Sequence, residues 1–183
     1  VLGCGGCAGA PEEPVSTLLF APGDGGSKYY RIPALVTADD GSLVAVADRR
    51  LESMGDLPNK IDLVARRSTD GGRTWSSVIP IAEHRGDCGY GDAALVNDAR
   101  SGELLCIFAS GRGLWESTPE APIDINICRS GDFGQTWSAP ECITPQLWGA
   151  ACANPLSRGW YGAFAASGRA LQLRTPRGGK GAV

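Results

Sequence analysis

Short apolar runs separated by turn residues are the dominant pattern along the chain. The runs are rich in Val, Ile and Leu and are too short for helices, so they predict β-strands. Gly, Asp and Ser cluster between the runs, at residues 39–41 and 99–102, where they favour tight turns. The predicted strands lie at 33–36, 43–46, 61–67 and 78–81, and again at 93–96, 104–108 and 123–129.

The second group of runs repeats the first. The offset between the copies is 60 residues at Leu35 and Leu95 and 62 residues at Ile61 and Ile123, and each insertion falls in a turn or loop. The repeating unit is strand A, a short turn, strand B, a long loop, strand C, a second turn and strand D. Four antiparallel strands per repeat predict a propeller blade, although periodicity alone leaves a β-sandwich open.

The turn between strands C and D is the most specific motif. Residues 68–75 and 130–137 both read S-x-D-x-G-x-T-W. In such a turn Asp caps backbone N–H groups, Gly takes a positive φ, and Trp anchors the turn on its sheet. The motif resembles the Asp box of sialidases and related β-propeller proteins. It also occurs in non-catalytic propellers, so it predicts a fold and leaves the chemistry to other residues.

The repeat gives an all-β chain that holds about two and a half four-stranded blades of a β-propeller. Its last unit has strand-like runs at 162–165 and 170–173 around a turn at Ser167–Gly168, which predict a hairpin. This unit resembles the opening of a third sialidase blade and has no Asp box, so we expect an N-terminal piece of a larger propeller. The expected organisation is a low-complexity leader at 1–16, a partial propeller at 17–173 and a Gly-rich basic tail at 174–183, with blade 1 at about 29–82, blade 2 at about 90–145 and the start of blade 3 at about 160–173.

Composition excludes several classes of function. The formal net charge of -3 argues against a nucleic-acid-binding surface, and no apolar run approaches the length of a membrane span. Cys4 and Cys7 form a C-x-x-C without a second ligand pair, so we predict no metal site and no cofactor. The seven cysteines leave the compartment open, with a secreted or cell-surface location favoured.

Antiparallel connectivity places the start of strand A and the loop between strands B and C on one rim, opposite the Asp boxes. That rim carries Arg31 before the first strand A, Arg49, Arg50 and Asp56 in the loop region that follows, and Asp92 before the second strand A. An arginine there faces the propeller axis and suits a planar anion. The alternative is a solvated surface whose ion pairs each contribute little.

The same rim residues lie in segments that resemble exo-sialidases. Tyr30–Pro33 is similar to their F/Y-R-I-P signature, Ala47–Arg50 followed by Asp56 to the segment with a second arginine and the acid/base aspartate, and Gly91–Ala94 to the segment with a pocket aspartate. The resemblance covers roughly residues 17–173.

This resemblance implies a six-bladed propeller that hydrolyses terminal α-linked sialic acid with retention, so the expected partners are sialylated glycans. It implies that Arg31 is one of three arginines on the sialic acid carboxylate and that Asp56 is the acid/base. Arg50 would border the sugar's O4, with a one-residue slip to Arg49 left open, and Asp92 would lie near the amide and glycerol groups.

The chain also departs from the exo-sialidase pattern. The expected tyrosine nucleophile, its Glu partner and two further arginines come from later blades, and none of the tyrosines at 29, 30, 90 and 161 occupies a matching position. We therefore expect the isolated chain to be inactive. The alternatives are a non-catalytic Asp-box propeller that binds sialylated or other acidic glycans, and a structural or receptor-type propeller. Linkage preference and hydrolysis versus transfer stay open.

Overall fold

The computed structural model of the protein describes residues 16–173. Most of the predicted leader, including Cys4 and Cys7, and the predicted tail from residue 174 onward lie outside the described residues. Within 16–173, no helix combines the length and the apolarity that crossing a membrane requires.

The first sheet contains the four strands predicted for the first repeat. They pair antiparallel in chain order, so each strand lies beside its sequence neighbour. A 3₁₀ turn at Asp24–Gly26 precedes the sheet. The strands are β1 (Tyr29–Thr37), β2 (Leu43–Arg50), β3 (Ile61–Ser68) and β4 (Ile79–Ala82).

The second sheet repeats this antiparallel order and adds one short strand at its edge. The added strand β9 pairs parallel with β5, and a short helix, α1, follows β8. The elements are β5 (Tyr90–Asp98), β6 (Glu103–Ser110), β7 (Asp124–Ser130), β8 (Glu141–Cys142), α1 (Thr144–Leu147) and β9 (Gly168–Arg169).

The start of the third repeat differs from the sequence prediction. Strands are expected near 162–165 and 170–173, but in the described residues the only strand there is β9. Its two residues pair with Ala94 and Leu95 of β5. The outer edge of β5 presents backbone N–H and C=O groups, and an extended segment beside such an edge satisfies them. Pairing along that edge therefore replaces the predicted hairpin.

The core lies between the two sheets. Val44 and Val46 on alternate positions of β2 join one buried cluster with Leu95, Leu104 and Phe108 of the second sheet. Alternate residues of a strand point to opposite faces, so β2 directs this set of side chains toward the second sheet. The two sheets thus stack face to face, as expected for consecutive blades.

Hydrogen bonds in both Asp-box turns explain why the motif repeats. Asp70 accepts from the Thr74 hydroxyl at 2.6 Å and the Thr74 backbone N–H at 2.9 Å. Asp132 accepts the same pair of hydrogen bonds from Thr136, also at 2.6 and 2.9 Å. The hydrogen bonds from Thr74, with those from Ser68 and Arg73, lower the pKa of Asp70 to about 2. Each carboxylate therefore closes its turn, which is a structural role.

The second Asp-box turn also docks on the first sheet. Gly134 has a φ of +86°, and a Cβ atom there would stand 2.7 Å from Cγ2 of Val44. The corresponding Gly72 in the first turn has a φ of +89°, but its Cβ atom would only touch Leu43 Cδ1 at 3.5 Å. Both positions need a left-handed backbone, and only Gly134 also needs the missing side chain for contact between the sheets.

We predict that Gly134→Ala destabilises the protein more than Gly72→Ala. Each alanine meets the left-handed penalty of about 1–2 kcal/mol. Gly134→Ala adds an overpacking cost of about 1–3 kcal/mol, since Val44 is buried and its branched side chain is stiff. Urea unfolding of both variants measures the difference.

Val44→Ala provides the internal control for this prediction. In the Gly134→Ala background it should recover part of the lost free energy of unfolding, whereas in the wild-type background it should only leave a cavity. Equal losses for the two glycine variants, or additive effects of Val44→Ala and Gly134→Ala, would contradict the docking role of Gly134.

Candidate active site

A bulge occurs at the same place in both blades. The pairing of β1 with β2 shifts between Arg31 and Ala34, and the pairing of β5 with β6 shifts between Gly91 and Ala94. The first unpaired residue within each break has a positive φ, 54° at Ile32 and 60° at Asp92. Positive φ in residues other than glycine costs on the order of 1–3 kcal/mol and is concentrated at functional sites. The two bulges thus mark the rim as the candidate site.

Five charged residues meet at this rim. Asp56 Oδ1 lies 2.7 Å from Arg50 Nη1 and 3.4 Å from Arg31 Nη1. Both guanidinium groups also donate to the Met54 carbonyl, at 2.6 Å from Arg50 and 3.1 Å from Arg31. The loop after β2 therefore folds back over both arginines. We call this group the arginine–aspartate cluster; its members are Arg31, Asp48, Arg50, Asp56 and Asp92.

The structure distinguishes the two neighbouring arginines of β2. Arg50 contacts Asp56, whereas Arg49 lies on the other face of the strand with its Nη2 at 2.6 Å from Asp62. Asp62 stands directly opposite Arg49 on β3. Because side chains alternate along a strand, only one of the two arginines can face the second sheet, and that residue is Arg50.

Asp48 is the member of the cluster to which sequence analysis assigned no role. It is fully buried and accepts from Arg50 Nη2 at 3.0 Å. Its other oxygen, Oδ1, accepts from the backbone N–H of Asp92 at 3.3 Å. Burial raises the pKa of Asp48 to about 7, against the opposing effect of the Arg50 charge. Its spacing of two residues from Arg50 was the available signal, since such residues share a strand face.

The cluster extends from the interior to solvent. Arg50 is 1% exposed, while the side chains of Arg31 and Asp56 are 40% and 66% exposed. Burial raises the pKa of Asp92, the nearby charge of Asp56 adds to that effect, and Arg50 and Arg31 oppose it. Among the described residues, Arg31 makes its hydrogen bonds through Nη1, so its remaining N–H groups suit an incoming carboxylate.

Two of the tyrosines have structural contacts. The Tyr30 hydroxyl donates to the Asp24 carbonyl at 2.6 Å. Tyr90 is 7% exposed and packs edge-on against Phe108, with 5.5 Å between ring centroids. Both contacts stabilise the sheets around the cluster.

Comparison with known proteins found sialidases, while no family model matches the chain. A sialidase of Micromonospora viridifaciens is 33% identical over 184 residues, which cover 91% of this chain and 27% of the relative. A sialidase of Bacteroides fragilis is 35% identical over 144 residues, or 68% of this chain and 26% of the relative. The solved structure of a Hadza microbial sialidase is 31% identical with a TM-score of 0.70, covering 81% of this chain and 31% of that one.

These similarities define the fold class of the protein: the two stacked sheets are part of a β-propeller of the sialidase type. The chain belongs to the sialidase family, as its Asp boxes and R-I-P segment predicted. It spans about a quarter of the length of the curated relatives it matches.

The buried carboxyl of Asp48 leads to a prediction on pH dependence. A pKa of about 7 lies above the ordinary value, so the folded protein binds the Asp48 proton more tightly than the unfolded chain. The bound proton's contribution to the free energy of unfolding is complete below about pH 4 and is lost as the pH rises to about 7. The free energy of unfolding of wild-type protein should therefore fall by up to about 4 kcal/mol relative to that of Asp48→Asn over this range, as measured by urea unfolding.

Asp62→Asn is the matched control, because Asp62 is also a buried aspartate paired with an arginine. Burial would raise the pKa of Asp62, but hydrogen bonds from His84 and Arg49 outweigh it and leave that pKa lowered. Wild-type protein should therefore gain stability relative to Asp62→Asn as the pH rises through the acid range. The same sign of slope for both variants would contradict this account of Asp48.

Proposed function

We propose that the chain contributes the arginine–aspartate cluster to the active site of an exo-sialidase, which hydrolyses terminal α-linked sialic acid with retention of configuration. The observation that carries this proposal is the convergence of Arg31 and Arg50 on Asp56 within 3.4 Å at the rim of a sialidase-type fold. The substrates are sialylated glycoproteins, glycolipids and oligosaccharides.

In this proposal the arginines recognise the sugar. Arg31 is partly exposed and binds the sialic acid carboxylate, which matches the planar guanidinium. Arg50 is buried beneath it and borders the substrate near O4. Asp92 enters from the second sheet and lies near the amide and glycerol groups.

Asp56 is the acid/base in this proposal. It donates a proton to the leaving oxygen and later accepts one from the attacking water. Its carboxylate is bound to Arg31 in the structure. A substrate carboxylate would compete for that guanidinium and free Asp56 from Arg31, while Asp56 stays paired with Arg50 at 2.7 Å.

The nucleophile is expected to be a tyrosine supplied by a part of the propeller outside this chain. The anomeric carbon of sialic acid already carries a carboxylate, and a neutral phenol avoids driving a second anion against it. Glycosidases of this class are an exception to the usual pair of carboxylates. Tyr30 and Tyr90 have structural contacts that leave them unsuited to this role.

We predict that the chain by itself binds sialic acid weakly and releases none from sialosides. One arginine–carboxylate contact contributes about 1.5–3 kcal/mol, far below the roughly 8.2 kcal/mol of micromolar binding. Titration with sialic acid and its unsaturated 2-deoxy analogue, followed by NMR, should give millimolar affinity at most, and Arg31→Ala should remove it. Arg73→Ala, at an exposed position of the first Asp box, is the control and should bind as wild type. Release of sialic acid by the purified chain would overturn the prediction.

The role of Asp56 can be tested in a chimera. Residues 16–173 would replace the matching part of the Micromonospora viridifaciens sialidase, which is 33% identical. We expect Asp56→Ala to lower kcat/KM on sialyl-lactose by about 10²- to 10⁴-fold. The loss on a nitrophenyl sialoside should be much smaller, because a nitrophenolate leaves without a proton. Arg31→Ala should lower kcat/KM equally on both substrates, since both carry the carboxylate.

Glu52→Ala is the matched control for Asp56→Ala. Glu52 lies in the same loop and its exposed carboxylate pairs with Lys60 at 2.8 Å, away from the cluster. Equal losses on the two substrates would remove Asp56 from the acid role. A folded chimera that binds sialosides and cleaves neither substrate would favour the non-catalytic glycan-binding alternative.

A further inference from the structure

We propose that Asp48 is a positioning residue that joins the two halves of the candidate site. One of its oxygens holds the Arg50 guanidinium of the first blade, and the other holds the backbone of Asp92 in the second. This inference rests on the proposed function for its consequence in substrate binding, while its structural part stands on this chain alone.

The first link runs from Asp48 through Arg50 to Asp56. Asp48 accepts from Arg50 Nη2 at 3.0 Å, and Arg50 Nη1 then reaches Asp56 Oδ1 at 2.7 Å. Arg50 Nε has no hydrogen-bond partner among the described residues. The guanidinium therefore lies between a buried carboxylate and an exposed one. Asp56 is on an exposed loop, so Asp48 is the rigid partner that fixes the position of Arg50.

The second link runs from Asp48 to the bulge in β5. The left-handed residue Asp92 directs its N–H to Asp48 Oδ1 at 3.3 Å. Gly91 permits this approach, because a Cβ atom there would stand 3.3 Å from Asp48 Oδ2. A single carboxylate thus ties the bulge that carries Asp92 to the strand that carries Arg50.

A buried aspartate can be purely structural, and Asp62 is an example of this in the same sheet. Asp62 is 1% exposed and binds Arg49 and His84, but it lies on the other face of the sheet. Its partners include no member of the arginine–aspartate cluster. Asp48, by contrast, bonds to two members of that cluster. The two aspartates therefore form a matched pair in which only one is connected to the site.

The charges around Asp48 support the same assignment. The groups that face it are the Arg50 guanidinium on its own strand, the Asp92 carboxyl on β5 and the Cys106 thiol on β6. Arg50 is the one cation among these groups. An ionised Asp48 therefore depends on Arg50 for its neutralisation, and Arg50 in turn is held where Asp48 requires it.

The test uses NMR on the chain with labelled arginine and aspartate side chains. In wild-type protein, Arg50 should give two distinct Nη signals, because both ends of its guanidinium are held. Asp48→Asn places an amide beside Arg50, so these signals should average and the Asp56 and Asp92 resonances should shift. Asp62→Asn should leave all three residues unchanged. Averaged Nη signals in wild-type protein would overturn the proposal, and this outcome does not depend on whether Asp48→Asn folds. Equal changes in the two folded variants would also overturn it.

Binding provides a second measurement that separates this inference from the proposed function. Asp48→Asn should weaken binding of the unsaturated 2-deoxy sialic acid analogue by about threefold to tenfold, as expected for coupled neighbours. Asp62→Asn should bind as wild type. Unchanged affinity in Asp48→Asn would contradict the positioning role. Failure of wild-type protein to bind the analogue, with the NMR changes still present, would reject the proposed function and retain the structural role of Asp48.

Discussion

The burial of the Asp48 carboxyl against the Arg50 guanidinium is the constraint on which the candidate site depends. Removing two charges from water is costly, and their attraction offsets that cost only when the geometry is good and other hydrogen bonds are satisfied. Here Arg50 also donates to the Met54 carbonyl and Asp48 accepts from the Asp92 backbone. Val44 and Val46 lie on the same face of β2 as this pair and pack in the apolar cluster between the sheets, which brings β2 and β5 close enough for the contact between Asp48 and Asp92. Packing in the core thereby determines geometry at the rim.

Strand β2 connects the two ends of the blade pair. Near its start, Val44 packs against Gly134 of the second Asp-box turn. Near its end, Asp48 accepts a hydrogen bond from the backbone N–H of Asp92 in the bulge of β5. The second blade is thus held on the first at both ends of one strand, with Val46 packed in between. The second Asp box has a structural role in this arrangement, because its Gly134 lets the turn approach Val44 of the first blade closely.

The sequence was sufficient for features that depend on local chemistry. Strand positions follow from short apolar runs, and the Asp-box hydrogen bonds follow from the side chains within each turn. The choice between Arg49 and Arg50 depends on which face of β2 meets the second sheet, and a strand buried on both faces does not reveal this. Pairing of β9 with β5 and the contact of Asp48 with Asp92 depend on distant segments, so no local pattern predicts them.

The repeated bulge suggests how one blade design serves two roles in the site. In both blades a positive-φ residue interrupts the first strand of the four at the same position, Ile32 in the first and Asp92 in the second. The first blade uses its bulge to present the neighbouring Arg31, whereas the second presents the carboxyl and the N–H of the bulge residue itself. Because the backbone device is the same, the difference in chemistry resides in the side chains. A repeat architecture can therefore build an asymmetric site, with cations from one blade and a carboxyl from the next, without changing its fold.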